Sequence, residues 1–95
     1  MPNGNRSLGP EMAPHGIFPA RGDDEWISIA CRDERDWQGF AEVVGEEWVR
    51  DARFVDIRSR KANEDALDGH VADWTRGRDK FEVQRVLLAV GVIIG

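Results

Sequence analysis

The stretch from residue 14 to residue 31, PHGIFPARGDDEWISIAC, most constrains the fold, because its pattern is typical of a β-hairpin. In its second half, WISIAC, Ile27, Ile29 and Cys31 alternate with other side chains and share one face. The central RGDDE segment supplies the glycine and aspartates that tight turns require. In the first half, Pro19 has no amide hydrogen, so its strand should lie at a sheet edge or carry a bulge.

The residues after the hairpin are predicted to be mainly helical, and they need the hairpin to cover their apolar faces. The first helix covers residues 33–45, where Trp37 begins an apolar stripe at helical spacing. Asp33 is suited to cap its first turn, and Gly45 is suited to end it. Gly39 lowers the helix propensity by up to about 1 kcal/mol relative to alanine, and we interpret it as a point of close approach.

The middle of the chain predicts a short helical turn at residues 46–51, followed by Phe54 as a buried anchor. A second long helix begins at either Ile57 or Asn63 and continues to Thr75. If the later start is correct, the Asn63 side chain would cap the helix.

A third helix is predicted to open at Asp79, which forms a capping-box pattern with Glu82. Residues 92–94 are apolar and β-branched, as expected at the start of a strand. The predicted fold class is α+β, a β-hairpin followed by three to four helices and a C-terminal strand start. Residues 1–13 are interpreted as a flexible N-terminal arm, and residues 14–95 as the folded domain.

Size and charge exclude several classes of protein. A chain of 95 residues accommodates one small domain. A net charge of −5 and a pI near 4.9 argue against a nucleic-acid phosphate surface and against binding to anionic membranes. The single cysteine, Cys31, favours a reducing compartment. The apolar run at residues 86–94 is too short to span a bilayer, and the first residues lack a signal-peptide core, so we expect a cytoplasmic protein.

The aromatic content predicts an aromatic core. The chain contains four tryptophans and no tyrosine. One aromatic side chain can bury about 150–250 Å². We therefore expect all four tryptophans to be packing residues: Trp26, Trp37, Trp48 and Trp74.

The sequence contains no zinc-ligand spacing, no dinucleotide fingerprint, no P-loop and no nucleophile elbow. His15 lies in a Pro-His-Gly loop, where a functional role is more plausible than in a helix, although a packing or surface role is still favoured. His70 is interpreted as a surface or packing histidine. Cys31 has no neighbouring base, which favours a small buried hydrophobe over a nucleophile.

Three adjacent carboxylates, Asp23, Asp24 and Glu25, are interpreted as a solvated turn, because a metal site needs more converging oxygen ligands. The tripeptide Arg21-Gly22-Asp23 matches an integrin motif, but in a hairpin turn we interpret it as coincidence. We therefore predict no metal site.

Residues 13–30, APHGIFPARGDDEWISIA, resemble the small-domain hairpin of family III CoA-transferases, also called the CaiB/BaiF family. This family includes formyl-CoA transferase, carnitine CoA-transferase and α-methylacyl-CoA racemase. The chain departs from the family pattern at Ala52 and Ile93, where proline is usual. The resemblance extends in order over nearly the whole chain: residues 4–7, Trp37, Glu47-Trp48, residues 51–54, Arg60, Asn63, Leu67, Trp74-Thr75, residues 79–83 and residues 91–95.

The resemblance implies the small domain of a much longer enzyme. In the family, a nucleophilic aspartate of a large Rossmann-like domain forms a mixed anhydride and then an aspartyl-CoA thioester. No residue of this chain matches that aspartate, so no catalytic residue is assigned. The family's CoA contacts also lie mostly in the large domain, and its members form interlocked dimers. The loop at residues 8–16 would approach the active site, which places His15 and Gly16 near the substrate.

The leading hypothesis is therefore a small domain or truncated fragment of a family III CoA-transferase, inactive alone because covalent catalysis needs the missing nucleophile. A coenzyme A thioester would be the substrate of the complete enzyme, and this chain alone would bind no cofactor. Its partner would be the large domain, in cis or as a separate chain, or a second copy of itself. A non-enzymatic interaction module and one part of a split CoA-transferase or racemase remain as alternatives.

Overall fold

The computed structural model describes residues 12–94, and within them a three-stranded antiparallel sheet has the order β1-β2-β3. The strands are β1 (His15–Pro19), β2 (Trp26–Ala30) and β3 (Ile93–Ile94). The first two pair without a bulge, from His15 opposite Ala30 to Pro19 opposite Trp26. The predicted hairpin is confirmed, and the strand that contains Pro19 lies at a sheet edge, where its missing amide hydrogen costs no ladder bond.

The hairpin turn is built by residues that tolerate positive φ. Gly22 has a φ of 111° and Asp24 a φ of 59°. The Ala20 amide donates to the Glu25 carbonyl at 2.8 Å and closes the turn. The Arg21 amide donates to the Arg78 carbonyl at 2.8 Å, so the turn is also attached to the helical part of the chain.

Helices and 3₁₀ turns fill the sequence between β2 and β3. Both predicted starting points of the second helix occur, because the chain forms two consecutive helices that meet at Asn63. No helix within residues 12–94 is long and apolar enough to cross a membrane. The elements are α1 (Glu34–Val44), 3₁₀ turns at Glu47–Arg50 and Ala52–Phe54, α2 (Ile57–Ala62), α3 (Glu64–Arg76) and α4 (Lys80–Leu88).

Side chains cap the helix starts at two of the three predicted positions. The Asp33 side chain accepts from the Asp36 amide at 2.9 Å, and the Asp79 side chain accepts from the first amides of α4. Gly45 ends α1 with a φ of 65°, the left-handed conformation that glycine adopts without strain.

The prediction that the Asn63 side chain caps α3 is wrong. Its backbone, at φ −119° and ψ 34°, does not have the extended conformation of a capping residue. Its Nδ2 instead donates to the Ser59 carbonyl at 2.9 Å. The Ser59 carbonyl also accepts from the Asn63 amide at 3.0 Å, so Asn63 bonds to α2 through both its main chain and its side chain and does not cap an amide at the start of α3.

The core lies between one face of the sheet and the helices. Phe40 of α1 is fully buried at its centre. Its ring centroid lies 5.7 Å from that of Trp37, 6.3 Å from Trp48 and 5.9 Å from Trp74. Buried side chains from the strands, the helices and the segments between them complete the core: Phe18, Ile27, Ile29, Phe54, Leu67, Val71, Val83, Leu87 and Val92.

The prediction that all four tryptophans are packing residues is wrong for Trp26, whose side chain is 51% exposed. Trp37 and Trp74 are buried, and Trp48 packs against the core. Trp26 begins β2 on the face that alternates away from Ile27, and the described elements do not cover that face.

Gly39 marks a close approach of α1 to the end of α4, as the sequence predicts. A β-carbon at this position would lie 2.9 Å from the Val90 Cβ and 3.1 Å from the Val90 carbonyl oxygen. The missing side chain therefore lets α1 pack closely against the turn that follows α4.

Candidate functional site

The surface of the sheet that faces away from the core carries His15, the candidate site residue. Strand alternation puts His15 and Ile17 on this surface, while Phe18 points into the core. We call this surface the outer sheet face. It consists of His15, Ile17, Pro19, Trp26, Ser28, Ala30 and Ile93.

The outer sheet face is mainly apolar. Trp26, Ile17 and Ile93 are large side chains on it, and the last two are 37% and 45% exposed. His15 and Ile93 flank Ala30 from the two neighbouring strands, so the three residues form one row across the sheet. Exposed apolar side chains grouped on one face are typical of a binding surface.

His15 is the titratable residue of this face. Its side chain is partly exposed, but its Nδ1 atom is buried and has no hydrogen-bond partner among residues 12–94. A buried polar atom without a partner is unusual in a folded protein. Because this nitrogen is buried, it can reach a polar group of another molecule only if the His15 ring turns outward.

Gly16, the second candidate residue, points to the opposite side of the sheet. It pairs with the buried Ile29, and a β-carbon built on it would lie 3.6 Å from the Phe18 ring. The structure therefore separates the two candidates, and Gly16 can contribute to the outer sheet face only through its main chain.

The acidic turn is solvated, as predicted. Asp23 and Asp24 are exposed, and the Glu25 carboxylate accepts from Lys80 Nζ at 2.8 Å. No group of histidine, cysteine and acidic side chains among the described residues is arranged to hold a metal ion.

His70 and Cys31 have the packing roles that the sequence indicates. The His70 ring stacks on Trp48 with centroids 5.0 Å apart, and its edge meets Phe54 at 6.0 Å. Cys31 is buried, and this burial, together with the nearby Asp36 carboxylate, raises the pKa of its thiol. A thiol held in its neutral form is a poor nucleophile.

Arg60 is part of the family resemblance, but sequence reasoning assigned it no role. Its side chain is fully buried, although arginine is rarely buried without partners. The guanidinium donates to the Ala13 carbonyl at 3.1 Å and to the Phe54 carbonyl at 3.0 Å, and it pairs with Glu34. It also lies 4.6 Å from the Trp37 ring centroid. No local pattern around residue 60 predicts this arrangement.

A groove of about 430 Å³ lies on the helical side of the molecule, between α1 and the 3₁₀ turns. Trp37, Glu42 and Arg50 are among the residues that line it. Neither His15 nor Gly16 is part of its lining. The groove is therefore separate from the residues that the sequence selects as a site.

A partly buried ion pair joins Arg32, which follows β2, to Asp36 of α1. Arg32 donates to the Asp36 carboxylate through Nε at 2.7 Å and through its amide at 2.9 Å. It also donates to the Gly91 carbonyl at 3.0 Å. These hydrogen bonds from Arg32 hold the pKa of the buried Asp36 carboxyl below its usual range.

This pair predicts a pH-dependent stability. A carboxyl whose pKa is lower in the folded state stabilises the protein above its unfolded pKa, about 3.9, and this contribution is lost as the pH falls through the lowered pKa. The Asp36→Asn variant should therefore be less stable than the parent at pH 7, and the difference should shrink below about pH 4. Urea unfolding of both proteins between pH 2 and pH 7 measures this difference in stability. A difference that stays constant with pH would contradict the lowered pKa of Asp36.

Comparisons with known proteins agree with this fold and this sequence. The sequence profile of CoA-transferase family III matches residues 1–95. A probable CoA-transferase of Mycobacterium tuberculosis is 37% identical over 87 residues, which are 90% of this chain and 11% of that protein. The crystal structure of a CAIB/BAIF family protein from Brucella suis superposes with a TM-score of 0.79 at 25% identity, over 90% of this chain and 22% of the other.

Proposed function

The chain belongs to CoA-transferase family III, and we propose that it acts as the small domain of an enzyme that transfers coenzyme A between an acyl-CoA and a carboxylate. The observation that carries the proposal is the match of the family profile to residues 1–95. The α+β fold shared with the Brucella suis protein supports it.

The chain spans 11% of the Mycobacterium tuberculosis relative and 22% of the Brucella suis chain. In the proposal, the nucleophilic aspartate and most coenzyme A contacts belong to a large domain, present in cis or as a separate chain. The 95-residue chain is then inactive alone, because covalent transfer requires that nucleophile.

His15 and the main chain of Gly16 are the proposed substrate contacts. Nδ1 of His15 supports this role, because it has no hydrogen-bond partner among residues 12–94 and can bond a polar group of the bound thioester once the ring turns outward.

The outer sheet face is the proposed contact surface for the large domain. Trp26, Ile17 and Ile93 expose apolar area there, and burying it releases about 25 cal/mol per Å². The occupant is the remaining polypeptide of a family III enzyme, since both relatives carry several times more chain than this segment covers. The same face carries His15, so the domain contact and the substrate contact would be continuous.

A complementation assay tests the proposal. A family III CoA-transferase of known activity, with the matching segment removed, is mixed with this chain, an acyl-CoA and an acceptor carboxylate. We expect exchange from the mixture and none from either part. Turnover by this chain alone, or a mixture without exchange, would contradict the proposal.

The role of His15 has a matched control in the second histidine. We expect His15→Gln to weaken acyl-CoA binding by the mixture about fivefold, the equivalent of one hydrogen bond of about 1 kcal/mol. His70→Gln should leave this affinity unchanged, because His70 packs against Trp48 on the helical side. Equal effects of the two substitutions would remove His15 from the site.

The outer sheet face also favours a second candidate function, an interaction module formed by two copies of the chain. Trp26 is the largest exposed side chain available for such a contact. Sedimentation at several concentrations distinguishes the candidates. A defined dimer that the large domain does not dissociate favours the module, whereas a monomer that binds the large domain favours the enzyme.

A further inference from the structure

We propose that Arg60 is a positioning residue that holds the segment leading to His15 in place, and the functional part of this inference rests on the proposed function above. Arg60 lies in α2, far along the chain from this segment. It contacts the segment through the Ala13 carbonyl.

Three consecutive carbonyls before His15 are each held by a different donor. Lys61 Nζ donates to the Met12 carbonyl at 3.3 Å. Arg60 Nε donates to the Ala13 carbonyl at 3.1 Å. The Cys31 amide donates to the Pro14 carbonyl at 2.9 Å. The path of the chain into β1 is thus fixed by α2 on one side and by Cys31, the residue after β2, on the other.

The central donor is the most constrained of the three. Arg60 also donates to the Phe54 carbonyl at 3.0 Å and to the Glu34 carboxylate at 2.5 Å, and its guanidinium lies over the Trp37 ring. A planar guanidinium with fixed donor directions is more rigid than a lysine ammonium on its flexible stem. The position of the Ala13 carbonyl is therefore set by three other parts of the fold.

The same geometry argues against a direct contact of Arg60 with the substrate. Nε, Nη1 and Nη2 of Arg60 each have a protein acceptor, and the side chain is fully buried. Arg60 thus acts through the position of the backbone before His15. A lysine at this position in Arg60→Lys cannot reproduce the three hydrogen bonds, because a single ammonium group would have to reach three separate acceptors.

Amide hydrogen exchange, monitored by NMR, tests the positioning role of Arg60 in this chain without a partner. The Cys31 amide reports on the Pro14 carbonyl that it binds. In Arg60→Lys we expect at least tenfold faster exchange at Cys31 and shifted signals of the His15 ring. Exchange at Leu67 and Val71, in the centre of α3, should change less than twofold. The matched control is Arg58→Lys, an exposed arginine on the same helix, with no effect at either site.

Equal acceleration of amide exchange at Cys31 and Leu67 would show that Arg60 contributes only to global stability, and it would overturn the proposal. An unchanged exchange rate at Cys31 would also overturn it. If Arg60→Lys does not fold, Lys61→Met serves instead, because it removes the Met12 anchor together with the ion pair between Lys61 and Glu64. Faster amide exchange at Cys31, with exchange in α3 unchanged, would then support the anchoring of the segment before His15 by α2. Unchanged exchange at Cys31 would contradict this anchoring.

A second readout separates this inference from the proposed function. Acyl-CoA affinity is measured in the mixture with the large domain. If Arg60→Lys shifts the His15 signals and weakens acyl-CoA binding at least threefold, both proposals are supported. If the signals shift while the affinity is unchanged, Arg60 positions the segment and the substrate role of His15 is wrong.

Discussion

Replacing Phe40 with alanine should lower the free energy of unfolding by about 3–5 kcal/mol. Phe40 is fully buried, and its ring contacts those of Trp37, Trp48 and Trp74. The truncation loses the transfer energy of the ring and leaves a cavity that three large rings cannot collapse to fill. Domains of this size are stable by about 5–14 kcal/mol, so the variant loses a large part of its stability.

Urea unfolding followed by tryptophan fluorescence measures this loss, because the cavity borders three of the fluorophores. The matched control is Phe81→Ala, since Phe81 is 66% exposed at the start of α4. A surface substitution of this kind changes the stability by about 0.5 kcal/mol or less. Equal losses in the two variants would show that the aromatic cluster is not the centre of the core.

Alanine substitutions at two helical glycines should change stability in opposite directions. Gly39→Ala places a methyl group against Val90, and the overpacking should exceed the gain in helix propensity, for a net loss of about 1–2 kcal/mol. Gly69 lies within α3 and has no atom within 4 Å of a built β-carbon. Gly69→Ala should therefore stabilise the protein by about 0.5–1 kcal/mol.

Chemical denaturation of both single variants tests the pair. A double variant, Gly39→Ala with Val90→Ala, should lose less than the sum of the single losses, because it removes the Val90 Cγ2 methyl, which would lie 3.0 Å from the new β-carbon, while the Val90 Cβ and carbonyl oxygen remain. A stabilising effect of Gly39→Ala would contradict the close approach of α1 to the end of α4.

Local patterns predicted the elements whose signals lie close together in the sequence. The cap at Asp33, the stripe that begins at Trp37 and the stop at Gly45 all fall within α1 and its ends. The alternation in β2 also predicted which side chains share a face. It did not predict that the face of Trp26 stays exposed, because coverage depends on elements far along the chain.

The sequence could select His15 for the candidate site but not Arg60. The loop context and the family resemblance both pointed to His15. The acceptors of Arg60 lie 47, 26 and 6 positions away from it, at Ala13, Glu34 and Phe54. Periodicity cannot detect such separations, and the general preference of arginine for the surface argues against burial. The predicted arm at residues 1–13 falls mostly on residues 1–11, which lie outside the described range, and the domain boundary at residue 14 stays a prediction.

The acceptors of Arg60 have a consequence for substitution tolerance. Two of them, at Ala13 and Phe54, are main-chain carbonyls, which every amino acid supplies. A change of side chain at either position therefore leaves an acceptor in place, and only its packing has to be accommodated. Glu34 is the one acceptor that mutation can delete. The hydrogen bonds of Arg60 to these two carbonyls should consequently survive substitutions at residues 13 and 54. No other amino acid at residue 60 makes the same three hydrogen bonds.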